Sequence, residues 1–270
     1  MTTACYDVVI LSDLHLGSEV SRAREALDLL RSLKFRRLIL LGDIFCDLNF
    51  RRLKKEHWQF LSYIRKLSNP KRDVQVIWVE GNHDYGLTDV MSHLVGVPVY
   101  QEYTWESAGT RNIAIHGHQF DNFIIRNHLF LNGFASFMYL HIQKLNSRGK
   151  LVAQLIDRLN TCWQRLTPKV ANGALDYART KGAARIFCAH THEAVTVWKD
   201  GVSYYNCGSW TNDRPTYVSV LGREVRINEY IERTDDCNTG EERGEVASSP
   251  SDILAETGLS TDLQNESLFG

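Results

Sequence analysis

The sequence predicts a layered α/β fold. Apolar runs of strand length end repeatedly in Asp, Asn or His, and strands alternate with amphipathic helices through the first third of the chain. A third observation is a long stretch, 123–180, that reads as helix with no strand in it. The central run is Leu38-Ile39-Leu40-Leu41, closed by Gly42-Asp43. Such an unbroken run reads as a strand buried on both faces of a parallel sheet covered by helices. A carboxylate at its carboxyl end stands where open α/β sheets bind ligands. Gly42 carries no side chain to obstruct a close approach.

The elements follow in order. Tyr6–Leu11 is a strand that runs into Ser12-Asp13-Leu14-His15. Asp13 and His15 are two apart, so on extended backbone they project to one side. Arg22–Leu33 reads as a helix with Ala26, Leu29, Leu30 and Leu33 on its apolar stripe. After the Leu38 strand, Leu53–Leu67 is a second helix striped by Trp58, Leu61, Ile64 and Leu67, and Asn69-Pro70 ends it. Val74–Val79 is a third strand, leading into Glu80-Gly81-Asn82-His83-Asp84. Val97–Tyr103 and Arg111–Ile115 read as shorter strands, the second ending in His116-Gly117-His118 with Asp121 beyond. In the helical stretch, Leu151, Val152, Leu155, Ile156, Leu159, Cys162, Trp163 and Leu166 form one stripe. Strands resume at Arg185–Ala189, ending in His190-Thr191-His192. Ala194–Trp198 and Val202–Asn206 form a hairpin across Asp200-Gly201, and Tyr217–Leu221 and Glu224–Tyr230 a last one across Gly222.

The whole chain of 270 residues carries a net charge of −1, but unevenly. Residues 234–270 hold nine acids and one base, a net of −8, which leaves +7 on residues 1–233. This last stretch lacks an apolar pattern and is expected to be a disordered acidic tail. A basic body attracts anionic partners such as phosphate esters or acidic headgroups. No basic patch rich in aromatics outside the 123–180 stretch points to specific nucleic-acid binding. The six cysteines are scattered with no C-x-x-C pair, and Cys188 and Cys207 sit in apolar strands as small hydrophobes. With the first strand at Tyr6 and no apolar run of membrane-spanning length, a reduced cytoplasmic protein is expected.

The strand ends gather Asp13, His15, Asp43, Asn82, His116, His190 and His192. All are oxygen or imidazole donors, a set suited to hard or borderline divalent ions. Seven ligands are too many for one ion that must also hold water, and suit two ions sharing a carboxylate. The order D-x-H, G-D, G-N-H-D, H-G-H and H-T-H, over residues 7 to about 210, resembles the calcineurin-like metallophosphoesterases. That resemblance implies a β-sandwich flanked by helices, interrupted by a helical insertion. It implies that Asp13, His15, Asp43 and His192 bind one ion and Asp43, Asn82, His116 and His190 the other. Mn is the expected metal, with Fe, Zn and Mg as alternatives. His83 matches the histidine that contacts the phosphate and protonates the leaving oxygen, a role suited to imidazole. Many relatives read G-D-x-x-D, with a carboxylate supporting that histidine. Here the position is Cys46, and Asp47 lies one residue late. Asp84, Asp47 and Asp121 are the candidates to support the site instead, and His118 is read as a hydrogen-bonded neighbour.

The expected organisation is a core in two parts, 1–121 and 181–233, an insertion or lid at 122–180, and the tail at 234–270. The insertion leaves after one ligand motif and returns before another, so it is expected beside the ions. It carries Arg126, Lys144, Arg148, Lys150, Arg158, Arg165 and Lys169. An apolar cleft with a basic rim suits a phosphorylated amphiphile. This layout is similar to that of the UDP-2,3-diacylglucosamine hydrolases, enzymes that cleave a lipid-linked pyrophosphate to UMP and a lipid monophosphate. The resemblance implies substrate contacts from Asn82, His83, Arg126, Arg148 and Arg158, and contact of the 123–180 helices with the inner membrane surface. Those hydrolases often carry Arg where this chain has His83. The alternative is a phosphatase or phosphodiesterase acting on a soluble nucleotide or phosphoprotein.

Overall fold

A computed structural model of the chain describes residues 5–47, 49–84, 92–93, 95–121 and 167–232. Met1–Glu232 form one compact unit, and the second unit, Arg233–Gly270, lies outside the described residues. So does most of the expected insertion, with Arg126, Arg148 and Arg158.

The described strands build two sheets. The first, with strand order β11-β10-β1-β2-β3-β4, contains β1 (Cys5–Leu11), β2 (Lys34–Leu41), β3 (Gln75–Val79), β4 (Val99–Tyr100), β10 (Thr216–Leu221) and β11 (Glu224–Glu229). Strands β1 to β4 pair in parallel, and β10 runs antiparallel to β1. The second, with order β5-β6-β7-β9-β8, contains β5 (Glu102–Ser107), β6 (Thr110–Ile115), β7 (Arg185–Cys188), β8 (Val195–Lys199) and β9 (Val202–Asn206). Helices α1 (Ala23–Ser32) and α2 (Lys55–Leu67) cover the outer face of the first sheet. Helix α3, described over 167–180, covers the outer face of the second through Ala171, Ala174, Leu175 and Ala178. The expected mixed α/β class, two sheets flanked by helices, is what the chain adopts.

The alternation of strand side chains makes this layering. Leu38 and Leu40 point into the core under α1 and α2, while Ile39 and Leu41 point into the core between the sheets. All four are fully buried, each contributing roughly 1.5–3 kcal/mol. The strand is thus buried on both faces, as its unbroken apolar run predicts. The β8–β9 turn has Asp200 at φ 52° and Gly201 at φ 80°, the pair of positive angles that a two-residue hairpin turn favours.

Two expectations change. Val97–Tyr103 is not one strand: Val99–Tyr100 pairs with β3 in the first sheet, and from Glu102 the chain pairs with β6 in the second. The crossover between layers is set by tertiary pairing, and the local residue pattern carries no mark of it. In α2, Trp58 is 53% exposed and the buried face is His57, Phe60, Leu61, Ile64 and Leu67.

His57 faces inward because its Nδ1 accepts two backbone N–H groups, from Gly17 at 3.2 Å and from Lys54 at 3.1 Å. It thereby ties the α2 N-terminus to the loop that follows His15. Burial pushes its pKa below the ordinary 6.5. As pH falls below about 6.5 the unfolded chain takes up this proton before the folded one does, so the folded state loses stability. His57→Gln keeps an acceptor and removes the proton. The Tm of the wild type relative to His57→Gln is expected to fall as pH is lowered from 7.5 to 5.5, as thermal melts at each pH would report.

Candidate metal centre

The residues expected from the sequence to be ligands lie at the carboxyl ends of β1, β2, β3, β6 and β7. The loops carrying them are stitched to one another by main chain: Asp13 N donates to Gly42 O at 3.1 Å, His15 N to Asp43 O at 3.0 Å and Ala189 N to His116 O at 2.9 Å. Trp210 N donates to Asp13 O at 3.2 Å, which adds the segment after β9.

Asp13, His15, Asp43, His190 and His192 all have positive φ, between 47° and 69°. Non-glycine residues pay for that conformation with steric strain, of order 1–3 kcal/mol each, and it concentrates at functional sites. Asp13 and His15 do converge, but through two left-handed residues rather than along an extended strand. Gly42 also acts differently from its expected part. At φ 76°, a Cβ on it would stand 2.3 Å from His116 Nδ1, so the space its hydrogen leaves is filled by the His116 ring.

Ligand atoms lie within 4.8 Å of one another in three groups: Asp13, His15 and His192; His15, Asp43 and His83; and Asp43, His116 and His190. His15 Nε2 faces His192 Nε2 at 3.3 Å, and His192 Nε2 stands 3.2 Å from Asp13 Oδ1. His116 Nε2 stands 3.2 Å from Asp43 Oδ2, with its Nδ1 3.1 Å from Leu41 O. Among the described residues, both Asp13 carboxylate oxygens, Asn82 Oδ1 and His116 Nε2 are buried without a hydrogen-bond partner. Buried polar atoms left so are costly and call for an explanation. A cation held by Asp13, His15 and His192, and another by Asp43, His116 and His190, would give the Asp13 and His116 atoms partners, so the residues present fit divalent metal.

The protonation pattern agrees. Burial disfavours charge on His116, yet the adjacent Asp43 carboxylate outweighs it and pushes the imidazole up to about 9. His192 is likewise raised, against burial, by Asp13. Burial, reinforced by His83, pushes His15 down to about 3, which leaves it a neutral donor. In the metal-free protein a proton on His116 stands in for a cation, and ion binding would displace it.

The supporting candidates separate. Asp121 Oδ2 lies 3.3 Å from His190 Nε2, which orients that ring. Asp84 accepts the N–H groups of Ile44 and Phe45 at 3.1 and 2.9 Å, and burial beside Asp43 raises it to about 7. Asp47 pairs with Arg52 at 2.5 Å and accepts Asn49 N–H. Neither Asp84 nor Asp47 hydrogen-bonds the His83 ring. That ring meets Cys46 O through Nδ1 at 2.7 Å, while the His83 N–H donates to Asp43 Oδ1 at 2.8 Å. The His118 ring lies 5.4 Å from that of His116.

Asn206 was not singled out in the sequence. Fully buried, its Nδ2 donates to Ala189 O at 2.8 Å and Thr191 Oγ1 at 2.9 Å, and its Oδ1 accepts Gly208 N–H at 3.0 Å. It holds the turn that presents His190 and His192. The available signal was an Asn followed by Cys-Gly-Ser at a strand end.

The sequence profile described as the calcineurin-like phosphoesterase superfamily domain matches residues 7–222. A search of curated proteins found no match. Solved structures similar to this chain include a novel archaeal phosphodiesterase, with 15% identity, TM-score 0.45, and coverage of 82% of this chain and 98% of that one. Wild-type Vps29 of Entamoeba histolytica complexed with zinc has 14% identity, TM-score 0.40, and coverage of 82% and 97%. A conserved predicted phosphoesterase of Streptococcus pneumoniae has 15% identity, TM-score 0.36, and coverage of 84% and 98%.

Proposed function

Because the chain belongs to the calcineurin-like phosphoesterase superfamily, we propose that it hydrolyses phosphoric esters or anhydrides at a centre of two divalent ions, with Mn as the first metal to test. The observation that carries this reading is the convergence of buried oxygen and imidazole groups: Asp13, His15 and His192 within 4.8 Å of one another, and Asp43, His116 and His190 likewise, with Asn82 Oδ1 buried as well. In this reading Asp13, His15 and His192 hold one ion, His116, His190 and Asn82 the other, and Asp43 both. Two such ions, when bound, would supply a hydroxide nucleophile from water at neutral pH and offset the charge that develops at phosphorus. Asp121 holds the His190 ring in place, and Leu41 O does the same for His116. His83, its side chain 36% exposed while most ligands are buried, is the group that meets the leaving oxygen. As an imidazolium it would give the Nε2 proton to the leaving oxygen as the phosphorus–oxygen bond breaks, leaving the neutral ring with its hydrogen on Nδ1.

For the substrate we propose the pyrophosphate of a lipid-linked UDP-sugar, UDP-2,3-diacylglucosamine, cleaved to UMP and the lipid monophosphate. Support comes from the two described residues that flank the 122–166 stretch. Asp121 contacts His190, and Thr167 Oγ1 donates to Glu193 Oε2 at 2.8 Å, one residue after His192. Asp121 and Thr167, which stand beside the proposed ions, flank in sequence the stretch that carries Arg126, Arg148 and Arg158. Attachment at a membrane surface through the same segment goes with this reading. His83, where those hydrolases often carry Arg, favours a second reading, hydrolysis of a soluble phosphoester. UMP release from the lipid substrate in mixed micelles, with Mn and with chelator, separates them. Chelator-sensitive release supports the first. Chelator-sensitive hydrolysis of an aryl phosphate without UMP release supports the second and removes the lipid.

A further inference from the structure

The position where relatives carry a carboxylate to support the catalytic histidine is Cys46, and its side chain does not take over that task. Its main chain meets the histidine ring instead. Cys46 O lies 2.7 Å from His83 Nδ1. A carbonyl oxygen only accepts, so Nδ1 carries the hydrogen and Nε2 carries the lone pair when the ring is neutral. Nε2 is also the nitrogen that faces the centre, 4.0 Å from Asp43 Oδ2.

The carbonyl is held from several directions. Cys46 N donates to Leu16 O at 3.0 Å, which anchors the residue to the loop bearing Asp13 and His15. Asp84 fixes the two preceding N–H groups, of Ile44 and Phe45. On the other side the Asp47–Arg52 pair, at 2.5 Å and with side chains 26% and 21% exposed, closes the turn. Asp47 Oδ1 also accepts Asn49 N–H at 2.9 Å.

We propose that the Cys46 carbonyl, kept in place by the Asp47–Arg52 pair, is the positioning group for His83, fixing its Nδ1–H tautomer so that Nε2 points at the reacting phosphate. Asp47 thus acts one residue beyond the family position, on the loop rather than on the ring. The proposal rests on the phosphoesterase reading for its use in catalysis, but the tautomer is a property of the metal-free protein.

Long-range 1H–15N correlation spectra of the metal-free full chain, with His83 assigned by comparison with His83→Gln, test it directly. The expected result is one tautomer, with a pyrrole-like Nδ1 and a pyridine-like Nε2. An Nε2–H tautomer, or an even mixture, in the wild type would overturn the proposal whatever the substrate proves to be. In Arg52→Ala the spectrum is expected to become a mixture, and kcat on an aryl phosphate to fall roughly ten- to a hundredfold with KM unchanged. Arg52→Lys is expected to restore both. An unchanged His83 spectrum in a folded Arg52→Ala protein would overturn the part given to the ion pair. An absence of any hydrolysis in the wild type, with the tautomer as stated, would count against the phosphoesterase reading alone.

Discussion

Asp43→Ala is expected to abolish turnover, by about a thousandfold or more, and to weaken both ions together. Among the described residues Asp43 lies in one group with His15 and in another with His116 and His190, so in the proposed reading its carboxylate is the ligand the two ions would share. Its Oδ2 faces His116 Nε2, and its Oδ1 accepts the His83 N–H. Burial alone would raise its pKa, yet the surrounding imidazoles, His116 first, hold it well below the ordinary carboxylate range. It is therefore ionised in the metal-free protein. Removing it leaves His116 and the neighbouring donors without their counter-charge, and a buried unpaired imidazolium gives up its proton. Metal content after reconstitution, read by elemental analysis, is expected to drop for both ions. Retention of two ions by the variant would show that Asp43 is not the shared ligand.

His83→Ala is expected to slow hydrolysis by about 10²–10⁴-fold while metal content stays unchanged. The separation follows from which atoms of His83 do what. Its backbone N–H, which the substitution keeps, is the part that supports Asp43. Its ring, which the substitution removes, is anchored at Cys46 O and reaches the centre only to 4.0 Å from Asp43 Oδ2. The loss should therefore appear in kcat, most strongly for substrates whose leaving oxygen is poorly acidic and needs the proton. Substrates with a good leaving group, such as a nitrophenyl ester, should lose less. Equal metal loss in Asp43→Ala and His83→Ala would make His83 a ligand instead of a proton donor.

Much of this centre was legible because side-chain type and strand end coincide. Leu38–Leu41 announced a doubly covered strand, and Asp43 stood at its end. Asp13, His15, Asn82, His116, His190 and His192 ended other runs in the same way. What the residue letters did not carry were main-chain facts. The positive φ at five candidate ligands, the Cys46 carbonyl as partner of His83, and the passage of the chain from β4 to β5 all depend on backbone placement. Helix α2 gives the same lesson from the side-chain end. Trp58 and His57 are neighbours, and hydrophobicity favoured Trp58 for the core. Two backbone N–H groups in need of an acceptor drew His57 inward instead. Asn206 was missed for a related reason, since its task is to satisfy backbone and hydroxyl groups around His190 rather than to meet a ligand itself.

The central claim is a pair of ions bridged by Asp43. Anomalous diffraction from crystals of the Mn-reconstituted protein tests it most directly. The expected map has two peaks roughly 3.5–4 Å apart, with the Asp43 carboxylate between them, Asp13, His15 and His192 around one, and Asn82, His116 and His190 around the other. A single peak, or two peaks that do not share Asp43, would contradict the account.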